Sequence, residues 1–364
     1  MRVLFIVPYS SEGASNRYRV EQYLPYLKKE GMDYDIRPFV FKEFYEIIYL
    51  KRGFFKKIIY FIKSLFNRIY DILMLYKYDL VFIHREACPF GPPVFEWLVY
   101  KSNKPIIFDF DDAIFLQNFN PINRIYRFLK FPSKTNMIIK MSSAVIVANK
   151  FLLEYSLALN KKTNIIATSI DTEKFYVTRK TDSRLIVGWI GSPTTAVYLR
   201  IIFNAMQSLS RKYAFILRII GAGTEISIPG VKIENCAWQL DREIQDFQSL
   251  DIGIYPMPDT LWTRGKAGFK AIQYMAVGVP VVASSVGIIN EIIQDGVNGF
   301  LADNDTQWIE SIAQLIEDHS LREKIGLEGR KTAKERFSVQ ANVHRFIRVL
   351  KRDGNWGTNE YESE

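Results

Sequence analysis

The sequence predicts an α/β fold built from two doubly wound domains, and three observations support this prediction. Short apolar segments alternate with stretches of helical periodicity along the whole chain, which is typical of parallel sheets covered by helices. At 364 residues, the chain is too long for one ordinary hydrophobic core. A polar, charged stretch at 171–184 separates two series of apolar segments, so it is the predicted linker.

The predicted strands set the domain boundaries. They place one Rossmann-like domain at 1–175 and a second at 184–336, facing each other across a central cleft that binds a ligand at the strand ends. A helix at 337–352 is expected to pack back on the N-terminal domain, and the tail at 353–364 to be disordered. The predicted strands are 2–8, 33–39, 79–85, 105–110, 144–148, 164–168, 184–190, 214–220, 231–235, 251–256 and 280–284.

Positive charge is concentrated in the N-terminal half. Residues 1–180 hold 28 of the 48 Lys and Arg residues but only 17 of the 39 Asp and Glu residues. This asymmetry indicates an anionic partner or surface. Nucleic acid is not expected, because the chain has no zinc-finger spacing, no RNP-like aromatic motif and no basic helix free of apolar residues. A membrane surface is the anionic partner that the sequence favours.

The chain is expected to be cytoplasmic, with peripheral contact to the inner face of the membrane. The opening segment MRVLFIVPYS is predicted as a buried first strand, because only ten residues precede polar sequence. No run of eighteen apolar residues predicts a membrane-spanning helix. Cys88 and Cys236 fall one in each half, so both are predicted to be unpaired, reduced thiols.

The basic, aromatic stretch at 41–78 is predicted to form an amphipathic helical insert. On a helical wheel, large apolar side chains between Phe54 and Leu73 collect on one face, opposite Lys56 and Lys63. Such a helix can lie in a membrane interface among anionic headgroups. It can equally cover the sheet with its apolar face and leave its lysines in solvent. Both interpretations stay open on the sequence alone.

Cations crowd one strand-to-helix turn of the C-terminal half. Arg264, Lys266 and Lys270 lie at the start of a short predicted helix, and no acidic residue occurs between Thr260 and Ile289. Because helix N-termini already carry partial positive charge, cations there are locally unfavourable. A bound polyanion such as a diphosphate explains this placement, whereas the alternative is a solvated basic turn.

Two further strand ends in the same half carry glycines. The segment GWIGSPTT supplies Gly191 and Ser192, and IIGAG supplies Gly221 and Gly223. Glycines at such positions let backbone N–H groups approach a phosphate closely. Together with the cationic turn, they give three strand ends suited to a nucleotide diphosphate.

The first strand of the N-terminal half leads into a small-residue turn. Gly13 and Ser15 belong to this turn, and Arg17 and Arg19 open the next helix. Backbone N–H groups and guanidinium groups there can bind an anionic or hydroxyl-rich ligand. A plain strand-to-helix turn is the alternative, and the absence of GxGxxG gives no support to a dinucleotide site.

Charged residues end two other strands of this half. FDFDDAIF supplies Asp109, Asp111 and Asp112, which can hold sugar hydroxyls, assist a reacting hydroxyl, bind a divalent ion, or cap a helix. The first two of these roles are preferred. The other strand, DLVFIHRE, ends in His84, Arg85 and Glu86, which are expected to face the cleft. For these residues, the alternative to a role in the site is a surface ion pair between Arg85 and Glu86.

The C-terminal half resembles the donor domain of glycosyltransferase family 4, whose members have the GT-B fold of two Rossmann-like domains. The stretches that carry the resemblance are VGWIGSP, IIGAGTE, DIGIYP, GFKAIQYMAVGVPVVAS and EIIQDGVNGFL. The N-terminal half is similar, more loosely, to the acceptor domain through VLFIVPY, RYRVEQYLPYL, IIFDFDDA and AVIVANKFLLEY. The resemblance implies transfer of a sugar from a nucleotide diphosphate with retention of configuration, with no required metal and no cofactor.

The chain departs from the family at its Glu-x7-Glu motif. The two glutamate positions hold Gly265 and Gln273. Gln273 can still hydrogen-bond a ribose hydroxyl, but Gly265 has no side chain for a sugar hydroxyl. Asp111 lies where the family usually has a histidine, which argues against a metal at that segment. The groups that would replace the missing sugar contact are Lys266 and the backbone of Gly268, Phe269 and Lys270.

The resulting prediction is a hexosyltransferase that acts on a lipid-linked or surface-polysaccharide acceptor. Lys266 and Arg264 are expected to stabilise the leaving diphosphate, with Asp111 and Asp112 completing the catalytic set. The alternatives are a non-catalytic nucleotide-sugar-binding partner and a sugar-nucleotide epimerase or hydrolase on the same fold. The residues expected to contact the donor are Gly191, Ser192, Gly221, Gly223, Arg264, Lys266, Gly268, Phe269, Lys270 and Gln273. The residues expected to contact the acceptor are Gly13, Ser15, Arg17, Arg19, His84, Arg85 and Glu86.

Overall fold

The computed structural model describes residues 1–48, 52–116, 131–178, 180 and 182–352. The chain divides into two compact units, one formed by Met1–Ser169 with the chain from Asn342 onward, the other by Ile170–Ala341. Three predicted features fall partly or wholly outside the described residues: the tail at 353–364, positions 49–51 of the insert, and positions 179 and 181 of the linker.

The first unit is built on one parallel sheet. Its strands are β1 (Arg2–Tyr9), β2 (Asp33–Val40), β3 (Leu80–His84), β4 (Ile106–Phe110), β5 (Ala144–Val147) and β6 (Thr163–Ile165). They are ordered β2-β1-β3-β4-β5-β6 across the sheet. All residues of β3, β4 and β5 are buried, as expected for a sheet whose two faces are covered by helices.

Seven α-helices flank this sheet in the described residues. They are α1 (Ala14–Arg19), α2 (Leu24–Lys29), α3 (Lys42–Ile48), α4 (Phe54–Leu73), α5 (Val94–Lys101), α6 (Lys134–Met141) and α7 (Lys150–Leu157). Short 3-10 helices occur at Glu21–Tyr23 and Leu75–Lys77. Asn149 begins α7 with a side-chain cap, because its Oδ1 accepts a hydrogen bond from Leu152 N at 2.9 Å.

The second unit repeats this plan. Its strands are β7 (Ile186–Ile190), β8 (Ile216–Ile220), β9 (Ile233–Cys236), β10 (Ile252–Tyr255), β11 (Val281–Ala283) and β12 (Phe300–Leu301). They form a parallel sheet in the order β12-β11-β10-β7-β8-β9. The helices are α8 (Phe203–Ser210), α9 (Glu243–Gln248), α10 (Leu261–Arg264), α11 (Phe269–Ala276), α12 (Ile289–Ile292), α13 (Asp305–Glu317) and α14 (His319–Arg336), with 3-10 helices at Ala196–Ile202 and Leu240–Arg242. A last helix, α15 (Val339–Lys351), begins in this unit and lies mostly in the first.

The predicted strands are confirmed, with their ends shifted by a few residues. All eleven correspond to β1–β11. The strand β12 was not predicted, because its two residues are too short to give an apolar segment within GVNGFLAD. Cys88 is buried and Cys236 is exposed, and both are free thiols, as predicted.

The helix α4 turns its apolar face outward. Phe55 is 81% exposed and Phe66 is 66% exposed, and most other large apolar side chains of this face are also open to solvent. Only part of the face packs inward, where Phe61 and Leu65 lie against Phe39 and neighbouring side chains. The interpretation that this apolar face covers the sheet is therefore wrong for most of it. The other exposed members are Phe54, Ile58, Ile59, Ile62, Ile69, Tyr70 and Leu73.

Polar side chains hold α4 to the rest of the unit. Ser64 Oγ donates a hydrogen bond to the carbonyl of Phe39 at 2.6 Å. Arg68 Nε donates to the carbonyl of Ala87 at 3.0 Å, and Arg68 Nη1 contacts Asp71 Oδ2 at 2.9 Å. Burial lowers the pKa of Arg68 and raises the pKa of Asp71, because both charges lie away from water. No helix in the described ranges is long and apolar enough to cross a bilayer.

The helix α15 returns the chain to the first unit. Phe346 stacks on Tyr23 with ring centroids 4.3 Å apart and lies 5.5 Å from Phe82. At the end of the helix, Lys351 Nζ contacts Glu30 Oε2 at 2.8 Å. Residues 342–352 therefore belong to the core and surface of the first unit.

Candidate active site

The carboxyl ends of β1, β3 and β4 bring polar side chains together at one edge of the first sheet. These strands are neighbours and parallel, so residues that follow them converge. Ser15 Oγ lies 2.5 Å from His84 Nε2, and His84 Nδ1 lies 2.6 Å from Asp109 Oδ2. Ser15 is partly exposed, whereas His84 and Asp109 are fully buried. The structure thus joins three residues that the sequence analysis named separately, Ser15, His84 and Asp109.

Arg19 lies beneath this edge and not on its surface. The side chain is buried, and its guanidinium forms an ion pair with Asp109. It also donates a hydrogen bond to the carbonyl of Ile166 at 2.6 Å. Burial would raise the pKa of Asp109, but the charge of Arg19, followed by the hydrogen bond from His84, holds this pKa below its ordinary value. The contacts of Arg19 within the protein explain its position without an acceptor.

Arg85 binds the two predicted catalytic carboxylates. Its Nε donates to Asp111 Oδ1 and its Nη2 to Asp112 Oδ2, each at 2.8 Å. Burial alone would raise the pKa of Asp111, but the adjacent Arg85, followed by His84 and Arg19, lowers it. The backbone of Arg85 has a φ of 61°, which is uncommon outside glycine and costs free energy. The fold therefore maintains a strained residue to place this guanidinium between two carboxylates.

The remaining predicted acceptor residues support the turn or lie beside it. Gly13 precedes α1 and packs so closely on Tyr9 that an added Cβ would lie 2.6 Å from Tyr9 Cβ. Arg17 Nη1 donates to the carbonyl of Ser11 at 3.0 Å. Glu86 pairs with Lys134 at 3.3 Å, so the alternative ion pair between Arg85 and Glu86 is not formed.

No group of three or more metal-ligating side chains is found among the residues that the structure describes. At Asp111 and Asp112, the Arg85 guanidinium occupies the position between the carboxylates and supplies the opposing positive charge. These two carboxylates are therefore set up to hold a cationic side chain.

In the second unit, the carboxyl ends of β7 and β8 lie side by side, as predicted. Two backbone N–H groups at these ends already donate hydrogen bonds to backbone carbonyls within the sheet. Gly191 N donates to the carbonyl of Ile220, and Gly221 N to the carbonyl of Cys236, each at 3.0 Å. Gly221 has a φ of 84°, and an added Cβ there would lie 2.4 Å from Gly191 O. These glycines allow close approach of the backbone rather than supplying N–H groups.

Beside them, Gly223 and Ser192 complete the two strand ends. Gly223 has a φ of 74°, and an added Cβ would lie 2.7 Å from Pro193 Cγ. Ser192 Oγ lies 2.9 Å from Thr194 Oγ1, in the turn that leads to the 3-10 helix. Both residues lie at the same sheet edge as the end of β10, because β8, β7 and β10 are parallel neighbours.

The three cations that follow β10 lie on two helices. Arg264 ends α10 and makes two hydrogen bonds to Asp259, at 2.6 and 2.7 Å. The prediction that Arg264 crowds the start of the next helix is therefore wrong, and Asp259 lies just outside the stretch without acidic residues. Lys266, between α10 and α11, has its ammonium 5.7 Å from the ring centroid of Trp262.

Lys270 and Gln273 form a chain of contacts that ends in a carboxylate. Lys270 Nζ donates to Gln273 Oε1 at 2.8 Å, and Gln273 Nε2 donates to Glu243 Oε1 at 3.4 Å. Gln273 is fully buried and Glu243 is buried. The side-chain amide of Gln273 therefore joins α11 to α9 within the protein. Glu243 was not among the predicted site residues. It lies outside the Glu-x7-Glu motif, and only the fold places it beside Gln273.

Gly268 is required by the backbone where α11 begins. Its φ is 64°, and an added Cβ would lie 2.7 Å from Ile292 Cδ1. We expect Gly268→Ala to lower the free energy of unfolding by about 2–5 kcal/mol, from backbone strain of ~1–2 kcal/mol and overpacking of ~1–3 kcal/mol. Urea denaturation of both proteins measures this difference.

Gly296→Ala is the matched control for this prediction. Gly296 has a φ of 71° but no atom within 4 Å of an added Cβ. The control therefore carries the backbone strain without the clash, and its destabilisation should be roughly 1–2 kcal/mol. Equal destabilisation by both substitutions would contradict a packing role for Gly268.

Comparison with known proteins matches the second unit to a family. Residues 184–318 match the family model described as Glycosyl transferases group 1. An uncharacterized glycosyltransferase of Methanocaldococcus jannaschii is 39% identical over 70 residues, which are 19% of this chain and 20% of that protein. The capsular polysaccharide biosynthesis glycosyltransferase CapM of Staphylococcus aureus is 32% identical over 99 residues, 27% of this chain and 25% of CapM. The chain thus spans a quarter or less of these curated relatives.

A solved structure matches almost the whole chain. Anabaena HepE in complex with UDP-glucose matches with a TM-score of 0.67 at 16% identity, covering 97% of this chain and 100% of that one. The chain has the GT-B fold. The group 1 match falls on the second GT-B unit, which carries Lys266 and Lys270. The first unit of this GT-B protein carries Ser15, His84 and Asp109.

Proposed function

We propose that the protein is a retaining glycosyltransferase that moves a hexose from a nucleotide diphosphate to a lipid-linked or surface-polysaccharide acceptor. The observation that carries this proposal is the group 1 match at 184–318, which includes Lys266 and Lys270 at the carboxyl edge of the second sheet. Two curated relatives are named as glycosyltransferases, and HepE was solved with UDP-glucose. These names support a nucleotide sugar as the donor.

In this proposal, the carboxyl edge of the second sheet binds the donor diphosphate. Negative charge grows on the leaving diphosphate as the sugar–oxygen bond breaks, and fixed positive charge stabilises it. Lys266, Lys270 and the N-terminus of α11 supply that charge, whereas Arg264 already pairs with Asp259. Gln273, where the resembling family has a glutamate, acts by holding Lys270 in place.

The transferred sugar is proposed to keep its anomeric configuration. A covalent glycosyl intermediate requires a carboxylate nucleophile beside the anomeric carbon. Asp111 and Asp112 are the carboxylates predicted to be catalytic, and both are bound to Arg85. We therefore assign attack from the face of the leaving group, with the leaving phosphate taking the acceptor proton. The reaction requires neither a metal nor an organic cofactor.

A membrane surface is the proposed location of the acceptor. The outward face of α4 exposes large apolar side chains, and Lys56 and Lys63 of the same helix are exposed as well. Apolar side chains flanked by lysines fit the boundary between acyl chains and anionic headgroups. A lipid-linked acceptor would then reach the first unit from the surface on which α4 lies. The proposal places the protein at the cytoplasmic face.

Binding and transfer assays test the proposed reaction. A panel of UDP-, GDP-, ADP- and CMP-sugars is screened for a rise in Tm, because a ligand of the native state raises Tm by mass action. We expect one donor class to stabilise the protein and to release nucleotide when octyl glycosides or lipid-linked sugars are added. NMR of the product then gives the anomeric configuration, with retention expected.

Three outcomes would contradict parts of this proposal. If no nucleotide sugar changes Tm, the donor site is wrong. If a donor binds but no acceptor releases nucleotide, the protein is a nucleotide-sugar-binding partner without transferase activity. If product forms from the donor alone, an epimerase or hydrolase is the better description.

A further inference from the structure

Ser15, His84 and Asp109 form a connected chain of three side chains in the first unit. The Oγ of Ser15 lies 2.5 Å from Nε2 of His84, and Nδ1 of His84 lies 2.6 Å from Oδ2 of Asp109. A hydroxyl next to a histidine that is itself oriented by a carboxylate is the arrangement that activates serine nucleophiles. Such an arrangement is identified by geometry and not by spacing in the sequence.

The proton positions in this chain follow from the charge of Asp109. Arg19 forms an ion pair with Asp109, which favours the carboxylate form. A carboxylate only accepts hydrogen bonds, so Nδ1 of His84 carries a proton and donates it to Asp109. In the neutral imidazole, Nε2 then has a lone pair that faces Ser15 and can take its proton.

The hydroxyl of Ser15 lies near the ion pair of Asp111 and Arg85. Ser15 is partly exposed at the carboxyl edge of the sheet, while His84 is fully buried behind it. Asp111 Oδ2 lies 3.4 Å from Ser15 Oγ, but the guanidinium of Arg85 binds Asp111 and offsets its negative charge. The hydroxyl can therefore contact a small electrophile from solvent.

We propose that Ser15 is an activated nucleophile that accepts an acyl group from an activated ester. Ser15 Oγ attacks the carbonyl carbon while its proton moves to Nε2 of His84. The ester C–O bond breaks, the leaving alcohol takes that proton, and acyl-Ser15 remains. Water attacks the acyl group with the same histidine as base, which releases the acid and restores Ser15. This activity is independent of the proposed sugar transfer.

Covalent labelling tests this inference on the full chain. The protein is incubated with a fluorophosphonate probe, which forms a phosphonate ester with an activated serine and releases fluoride. We expect one adduct per chain, located on Ser15 by tandem mass spectrometry, and none in Ser15→Ala. His84→Asn should lower the labelling rate about 100-fold, because it removes the general base. p-Nitrophenyl acetate should give a burst of about one nitrophenolate per chain, absent in Ser15→Ala.

Ser10 provides a matched control in the same loop. Its Oγ donates a hydrogen bond to Glu12 Oε2 at 2.6 Å, so its partner is a carboxylate rather than a histidine. Ser10→Ala should therefore be labelled at the rate of the unchanged protein. Absence of an adduct on Ser15 in the folded protein overturns the inference, as does equal labelling of Ser10. If His84→Asn does not fold, the adduct site and Ser15→Ala still decide.

Discussion

Replacing Lys266 by alanine is expected to lower the rate of sugar transfer by about 10²–10³-fold, the usual effect of removing one group that stabilises charge in a transition state. Lys266 lies between α10 and α11 at the carboxyl edge of the second sheet. Its loss would leave Lys270 and the helix N-terminus to stabilise the leaving diphosphate. The kcat for donor consumption in the presence of acceptor measures the effect.

Lys331→Ala is the control for Lys266→Ala. Lys331 is an exposed lysine on α14 of the same unit, so this substitution removes the same charge away from the strand ends. Its kcat should match that of the unchanged protein, and both variants should keep the same Tm. Unchanged turnover in Lys266→Ala would remove the assignment of this lysine to the diphosphate.

The second large effect is expected on membrane binding. The triple substitution of Ile59, Ile62 and Phe66 by serine should lower the affinity for vesicles by about 10³-fold or more. Burial of each large apolar side chain contributes ~1.5–3 kcal/mol, so three together contribute several kcal/mol. Co-sedimentation with vesicles of phosphatidylethanolamine and phosphatidylglycerol measures the affinity. Because all three side chains are exposed, Tm should change little.

A second triple variant controls for general hydrophobicity. Val197, Leu240 and Leu327 are exposed apolar side chains on the second unit, and their replacement by serine should leave vesicle binding unchanged. Zwitterionic vesicles should bind the unchanged protein more weakly, since they lack the anionic headgroups that attract Lys56 and Lys63. If the unchanged protein binds neither vesicle type, the outward face of α4 has another partner.

The sequence predicted the sheets well because buried parallel strands leave a strong local signal. Strands such as β3 and β4 are continuous apolar segments, and their alternation with helices predicts which strand ends converge. From this alternation, Ser15 and His84 are both expected at the carboxyl edge of the first sheet. The alternation could not show that Asp109 orients His84, because a hydrogen bond depends on side-chain rotamers.

Local patterns were less informative where the partner or the direction of a side chain mattered. The helical wheel shows that α4 has an apolar face but not which way this face points. Its direction follows from buried contacts that include those of Arg68 and Asp71, which the wheel places opposite the apolar face. Likewise, Arg264 was taken as a cation for the ligand, although Asp259 lies five positions earlier and binds it.

Because α4 is attached through Ser64, Arg68 and Asp71, its outer apolar face is not needed to hold the helix on the protein. In most amphipathic helices, one apolar face serves both folding and any binding function, so the identity of its side chains says little about function. Here the inward contacts of the helix come from Ser64, Arg68 and Asp71 together with Phe61 and Leu65, and serines or lysines on the outer face would leave them intact. The outer face of α4 can therefore vary without loss of the fold, so substitutions there test partner binding separately from folding.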